Sequence, residues 1–266
     1  IIVKNLNVTT IRRLAIVRTH GYNSGGNSGG NYVLKFSFAS DGNSTSSVST
    51  MESTKSYVSA QSSSTHGYIT GGITPTPVYS DVIEKFSFAS NANTTDVGDL
   101  TEGRQSAAGN YSSSHGYTVG GFKSPGGNLN TIDKYPFSSD GNATDVGDST
   151  TEHSTAAGQQ SSEHGYKAGG YNPSGSSYSV IDKFPFSVDG NATDVGDLSV
   201  QRFGQTGGQS SSTHGYTSGG RYPDPTYLNI IDKFPFSVDG NATDVGDLTV
   251  ARAYAAGHSS PTHGYN

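Results

Sequence analysis

Six of the eight histidines of this chain lie in the same tripeptide, His-Gly-Tyr, and could form a ring of imidazoles. Imidazole is a metal ligand and a proton carrier, so such a ring would suit a metal ion or an anionic sugar. Histidine binds zinc at ~2.0–2.1 Å, so equivalent positions on neighbouring repeats are too far apart to share one ion unless they line a common axis. A structural role, with each imidazole bonded to backbone or a carboxylate, is the favoured interpretation. The histidines are His20, His66, His115, His164, His214 and His263.

An acidic segment, Asp189-Gly-Asn-Ala-Thr-Asp-Val-Gly-Asp197, offers several oxygen ligands close together, and it recurs at 140–148 and 239–247. Ca²⁺ prefers carboxylates and carbonyls, which makes Asp189, Asp194 and Asp197 weak calcium candidates. The order of residues does not match an EF-hand, and Asp, Asn and Gly are also the residues of tight turns. Turn chemistry is therefore favoured, and no metal is expected. The same turns begin Asn-x-Ser/Thr triplets, which are glycan acceptors only in a secreted eukaryotic setting.

Catalytic patterns are weak in this sequence. The chain has no cysteine, which excludes disulfides, thiolate metal sites and cysteine nucleophiles. It has no Gly-x-Ser-x-Gly elbow, and its few arginines are dispersed. We therefore predict a protein that is not an enzyme and needs no cofactor. A carbohydrate-active enzyme with its site at a common axis of the repeats is kept as the weakest alternative.

Charge and hydropathy limit the classes of partner that the protein could bind. The net charge is −6 and no basic stripe is present, which argues against nucleic acid. No apolar run approaches the length that spans a membrane, so membrane insertion is not expected.

The spacing of the tripeptide predicts the fold. The intervals are 46, 49, 49, 50 and 49 residues, and blocks 181–200 and 231–250 differ only by Ser199 against Thr249. A fixed period in this range is typical of a repeat architecture. Within one unit, alternating patterns and turn signals predict strands at 214–220, 230–238, 243–250 and 253–260.

Four short strands in each unit of about fifty residues indicate an all-β fold, a β-propeller of four-stranded blades. Five blades are favoured. Six remain possible if the C-terminal strand builds a new blade with the N-terminus. We assign residues 20–266 to the propeller and 1–19 to an N-terminal strand, two strands or a linker from a preceding region.

The repeat also predicts which residues hold the blades together. The strand of Ala, Gly and Ser fits the crowded innermost position. The recurring Lys, beside Asp133, Asp182 and Asp232, predicts ion pairs between blades. Aromatic pairs are expected to fill the space between blades, namely Phe36/Phe38, Phe86/Phe88, Tyr135/Phe137, Phe184/Phe186 and Phe234/Phe236.

These features resemble the kelch repeat. The double glycine after His-Gly-Tyr, an acidic strand with aromatics, and a Leu-x-x-x-Arg segment ending at Arg104, Arg202 or Arg252 carry the resemblance. The kelch tryptophan is absent, because the chain has no Trp. The wording Phe-Ser-x-Asp-Gly-Asn-Ala-Thr-Asp-Val-Gly-Asp is similar to repeats in structural and tail-fibre proteins of marine bacteriophages. That resemblance implies a virion or extracellular location.

The copies differ most between the double glycine and the Lys strand, at 27–31, 73–80, 122–128, 171–178 and 221–227. Loops on a rigid scaffold are where binding usually resides. We therefore predict recognition of a surface glycan or protein through these loops. A purely architectural virion or filament subunit, whose loops contact neighbouring subunits, is the alternative. The candidate binding residues are Tyr79, Phe122, Tyr171, Tyr178, Arg221, Tyr222 and Tyr227.

Overall fold

Strands form all the regular structure in the computed structural model, which describes residues 19–25, 30–40, 43–45, 48–204, 206–260 and 262–266. Within these residues no helix occurs, so none could span a membrane. The strands predicted for residues 1–18 lie outside the described residues, as does most of the loop at 27–31.

Each repeat from the second to the fifth forms a four-stranded antiparallel blade, with strands in sequence order from the axis outwards. Blade 2 contains β4 Ser59–Ser62, β5 His66–Thr70, β6 Val82–Ser87 and β7 Thr95–Asp99. Blade 3 contains β8 Ala108–Tyr111, β9 His115–Lys123, β10 Gly127–Pro136 and β11 Thr144–His153. Blade 4 contains β12 Ala157–Gln160, β13 His164–Ala168, β14 Val180–Pro185 and β15 Thr193–Asp197. Blade 5 contains β16 Thr206–Ser210, β17 His214–Ser218, β18 Ile230–Pro235 and β19 Thr243–Asp247.

Two smaller sheets meet where the ring closes. Blade 1 has three described strands, β1 His20–Ser24, β2 Tyr32–Ser37 and β3 Ser49–Thr50. The C-terminal sheet has two, β20 His258–Ser259 and β21 Gly264–Tyr265. β20 pairs with β21 and not with β1. The five predicted blades are present, and the C-terminal sheet lies between blade 5 and blade 1 instead of completing blade 1.

Small residues line the axis because the innermost strands nearly touch. A Cβ placed on Gly109 would lie 2.4 Å from the carbonyl oxygen of Ala60, and one on Gly158 would lie 2.3 Å from that of Gly109. A Cβ on Gly257 would lie 2.0 Å from the Gly207 oxygen. Side chains larger than hydrogen would push these blades apart, which confirms the predicted innermost strand.

Aromatic rings join each blade to the next. The Tyr166 ring of blade 4 stacks on Phe236 of blade 5 at 4.9 Å and lies 5.5 Å from Phe234. Gly215 makes room for this packing, since a Cβ there would lie 2.3 Å from the Phe234 ring. The prediction that aromatic pairs fill the space between blades is confirmed. The same pairing joins Tyr22 to Phe88, Tyr68 to Phe137, Tyr117 to Phe186 and Tyr265 to Phe38.

Candidate functional site

The His-Gly-Tyr histidines are held by local turns. In blade 2 the Ser63 hydroxyl accepts a hydrogen bond from the His66 backbone N–H at 3.0 Å, and His66 Nδ1 lies 2.8 Å from the Thr65 hydroxyl. Burial, then the charge of Lys85, lowers the pKa of His66. Among the described residues no three His, Asp or Glu side chains come together as a metal site. This geometry fits a structural role for the histidines. The partner of the imidazole is a hydroxyl group, where we expected a backbone group or a carboxylate.

The acidic segment docks blades onto one another. Asp189 pairs with Lys134 of the preceding blade at 2.7 Å. Asp194 accepts a hydrogen bond from the Gly196 N–H at 3.1 Å, and Asp197 accepts one from the Ser179 hydroxyl at 2.7 Å. The three calcium candidates therefore each serve a different contact.

The asparagine of the same segment clamps the preceding blade. Asn142 Oδ1 accepts a hydrogen bond from the Asp99 N–H at 3.1 Å, and the Ala143 N–H donates to the Asp99 carbonyl at 2.7 Å. Asn191 and Asn241 make the equivalent contacts with Asp148 and Asp197. These side chains hold the ring together.

The prediction of ion pairs between blades is confirmed for the lysines, but the aspartates beside them are used differently. The recurring Lys does form ion pairs between blades, but with the turn aspartates, as in Lys85 with Asp140 at 2.6 Å. The aspartates beside the lysines are fully buried and have other partners. Sequence neighbours point to opposite faces of a strand, so Lys and the preceding Asp cannot share one partner surface. The buried pairs are Arg104 with Asp133, Lys167 with Asp182, Arg202 with Asp232, and Lys55 with Glu84.

A ring of buried side chains on the innermost strands links each blade to the next. The amide nitrogen of Gln159 lies 2.8 Å from the Thr217 hydroxyl of the following blade. Gln209 reaches Asn266 in the C-terminal sheet at 2.5 Å. In the last position His258 replaces the amide, and its Nε2 lies 2.5 Å from Asn23 Oδ1 of blade 1. A histidine therefore closes the ring.

We predict that acid weakens this closure. Burial lowers the pKa of His258 to about 4 and that of His153 to about 3, both below the usual 6.5. The fold holds these two imidazoles neutral while the unfolded chain binds the protons, so their contribution to stability is constant above pH 6.5 and falls as the pH drops from there towards 4. Allowing for partial solvent access, we expect His258 to account for about 2 kcal/mol of this loss.

Urea unfolding of the His258→Gln variant between pH 7.5 and 4 checks this prediction. Glutamine keeps the bond that Gln209 makes, so stability at pH 7.5 should match the unmodified chain while the acid loss becomes smaller. An unchanged pH profile in the variant would show that His258 does not titrate with unfolding.

The variable loops lie at the end of the blades opposite His-Gly-Tyr, because each follows the far end of a second strand. The linkers between blades reach the same end. We call this surface the loop face. At its centre, four inter-blade backbone hydrogen bonds of 2.7–3.1 Å join five residues in succession around the axis, and we call these residues the axis ring. The axis ring consists of Tyr57, Ser106, Thr155, Gly204 and Tyr254.

The axis ring is strained. Its non-glycine residues have φ of +55° to +60°, and they are the only non-glycine residues with positive φ in the described chain. Side chains rarely adopt this left-handed conformation, and where they do the strain is often tied to function.

One group of candidate residues comes together beside the axis ring. The Arg221 guanidinium lies over the rings of Tyr227 at 5.2 Å and Phe203 at 5.6 Å. A hydrogen bond with Tyr254 raises the pKa of Arg221. Tyr171 adds its ring 4.9 Å from Phe203. We call these five residues the arginine cluster.

The other predicted binding residues lie apart from the arginine cluster. Tyr79 and Phe122 meet at 5.9 Å between blades 2 and 3. Tyr178 lies 5.8 Å from the buried Lys167 ammonium, so it covers an ion pair. Tyr222 donates its backbone N–H to Thr226 within the turn. Tyr57, Phe203 and Tyr254 are not predicted from the sequence, since their positions look like the start of the small-residue strand. The sequence signal that could have found them is a variable residue one or two positions after the Lys or Arg that recurs in the linkers between blades.

Comparison with known proteins bears on the fold. No family model and no curated protein matches the sequence. A solved structure described as "Structure of YjhT" superposes with a TM-score of 0.71 over 91% of this chain and 87% of that chain. The fold is a β-propeller. Sequence identity is only 12%, so the likeness establishes the fold alone.

Proposed function

We propose that this protein is a non-enzymatic binding propeller of a virion or an extracellular fibre, which recognises a surface glycan or protein through its loop face. The resemblance of the repeat to sequences in phage tail-fibre proteins supports the setting. The arginine cluster is the proposed centre of recognition, with Tyr79 and Phe122 as a second contact.

The observation that supports this proposal is that the shared residues and the variable residues of the repeat have different roles. The residues that all copies share are used within the ring, as in the Tyr166 stack, the Asn142 clamp and the His66 turn. The loops share only backbone bridges to the linkers, as between Phe122 and Gln105 or Arg221 and Phe203, and their side chains differ from copy to copy. They nevertheless place aromatic and charged side chains at one end of the molecule.

The arginine cluster has the chemistry of a recognition site. Tyr227 is 51% exposed and Tyr254 is 47% exposed. Arg221 also forms an ion pair with Asp224, whose side chain is 62% exposed. Tyrosine faces stack on sugar rings, and arginine and aspartate hydrogen-bond to hydroxyls. Tyrosine and arginine are also the residues enriched at the energetic centres of protein interfaces.

The axis offers less for catalysis. A cavity of about 320 Å³ extends along it, and its described lining contains no Asp, Glu, Lys or Arg. Most glycoside hydrolases use two carboxylates that flank the scissile bond. This lining supports a binding role for the propeller.

Tyr227→Ala tests the proposal. Glycan-array screening of the unmodified chain should yield a ligand, and the variant should bind it at least ~10-fold more weakly, since exposed aromatic contacts dominate such sites. Stability should change by less than about 0.5 kcal/mol. The matched control is Val238→Ser, a 63% exposed residue at the opposite end of the blade, which should leave binding intact. Equal loss in both variants would count against the loop face.

The architectural alternative has one observation in its favour. The side of blade 5 that faces the C-terminal sheet leaves Tyr216, Ile231 and Leu248 only half-buried. Ordered self-assembly without any glycan binding would support that role.

A further inference from the structure

Arg221 is held between two aromatic residues on the loop face. Isolated antiparallel bridges pair it with Phe203 of the preceding linker and with Tyr227 of its own loop. Residues directly opposite each other in such pairs extend their side chains from the same face. The guanidinium therefore lies beside both rings, 5.6 Å from that of Phe203 and 5.2 Å from that of Tyr227. The backbone bridges and the rings together fix its position.

This arrangement is particular to blade 5 among blades 2 to 5. In blade 4 the equivalent residue is Tyr171, and its two bridge partners are the small residues Ser154 and Ser177. A cation between two aromatic side chains does not belong to the shared scaffold of the repeat. The equivalent positions in the other three blades are all uncharged, namely Ile73, Phe122 and Tyr171.

Asp224 binds the same guanidinium from the solvent side. It lies three residues after Arg221 in the same loop and forms an ion pair with it. The Asp224 side chain is 62% exposed, whereas that of Arg221 is 20% exposed. Exposed ion pairs of this kind contribute little to stability. The Asp224 carboxylate can therefore be replaced by another carboxylate at small cost.

The guanidinium of Arg221 is suited to an acidic ligand. Its planar fork donates two parallel N–H bonds to the two oxygens of a carboxylate, a geometry that a single hydroxyl group does not match. Asp224 shows that a carboxylate fits in this position. A neutral ligand would leave the pair of Arg221 and Asp224 in place, whereas an acidic ligand would take the place of Asp224.

The size of the arginine cluster favours a sugar over a protein surface. Tyr227 is 51% exposed and Tyr254 is 47% exposed, so each offers a ring to one sugar unit. A protein interface typically uses about 20–30 residues on each side, many more than the five of this cluster. A sugar that carries a carboxylate matches both the tyrosine rings and the guanidinium.

We propose that the arginine cluster binds a carboxylate-bearing sugar, such as a uronate, and that Asp224 occupies the site until the carboxylate of the sugar displaces it. This inference rests on the proposed function of the loop face. The carboxylate of the sugar pairs with Arg221, its ring packs on Tyr227, and the Asp224 side chain turns to solvent.

Uronic-acid oligosaccharides arrayed beside their methyl esters test the ligand class, because esterification removes the charge and keeps the sugar. We expect the free acid to bind at least about 10-fold more tightly than the ester, the scale of one hydrogen-bonded charge. Arg221→Gln should remove this difference. Equal binding of acid and ester would overturn the inference, and the proposed function would still stand if Tyr227→Ala weakened the binding of both.

Asp224→Asn tests the displacement by calorimetric titration with the uronic-acid oligosaccharide that the array selects. Without the competing carboxylate, the variant should bind this acid about 3-fold more tightly or better, since the free site is populated more often. The matched control is Glu163→Gln, which removes the same charge from an exposed residue beside His164 at the opposite end of the blade. It should change the affinity less than about 2-fold, because salt screens distant charges. Weaker binding by Asp224→Asn would show that Asp224 holds the sugar, and would overturn the displacement.

Two further outcomes separate this inference from the proposed function. Binding of acidic peptides without any uronic-acid oligosaccharide would overturn the sugar and leave the loop face as a surface for protein. The absence of any ligand, or binding that Tyr227→Ala leaves unchanged, would overturn both.

Discussion

Lys167→Thr should destabilise the propeller by about 3 kcal/mol, because it leaves the Asp182 carboxylate buried without a cation. Both side chains are fully buried, with Lys167 Nζ 3.2 Å from the Asp182 carboxylate. In blades 3 and 5 the cation comes from the inter-blade linker, as Arg104 or Arg202. In blade 4 the linker position holds His153, and Lys167 stands where blades 3 and 5 have Thr118 and Thr217.

This exchange defines a double-mutant cycle. Introducing His153→Arg together with Lys167→Thr rebuilds the arrangement of blade 5 and should restore stability to within about 1 kcal/mol of the unmodified chain. His153→Arg alone should destabilise, since it adds a second cation beside a single carboxylate. Denaturant unfolding of the four proteins gives the coupling energy. Additive effects would show that the two positions do not exchange roles.

Phe184→Ala should cost about 3–5 kcal/mol, the range for truncating a buried phenylalanine. The ring is 2% exposed, lies 5.5 Å from Tyr117 of blade 3, and covers Gly165 so closely that a Cβ there would lie 2.2 Å from it. The truncation therefore opens a cavity between two blades as well as within one.

Thermal and urea unfolding of this variant are compared with Val188→Ala, a 61% exposed residue of the same repeat that should change stability by less than about 0.5 kcal/mol. A loss below about 1 kcal/mol for Phe184→Ala would mean that the aromatic packing between blades is not a main source of stability.

Most of the fold can be predicted from the sequence because the same pattern of strand and turn residues occurs in every copy of the repeat. Alternation and turn residues define the strands, and Gly158 and Phe184 recur at positions whose neighbours are equally constrained. Contacts between blades are harder to predict. The partner of Asp133 is Arg104, 29 residues earlier in a linker. Its burial depends on the neighbouring blade and leaves no local pattern.

The candidate site is predicted only in part, for a related reason. Arg221, Tyr227 and Tyr171 stand out as variable residues between strongly repeated strands. Tyr57 and Tyr254 do not, since their position depends on a left-handed backbone that places them at the axis instead of in a strand. The role of His258 in closing the ring could be inferred from the repeat, because the equivalent position in the four earlier copies holds glutamine or asparagine.

The most direct test of the loop face as a recognition surface is a crystal structure of the chain with the ligand that the array selects. We expect the ligand to contact Tyr227 and to hydrogen-bond to Arg221, beside the axis ring. A ligand bound in the axial cavity or against the His-Gly-Tyr turns, with the arginine cluster empty, would contradict it.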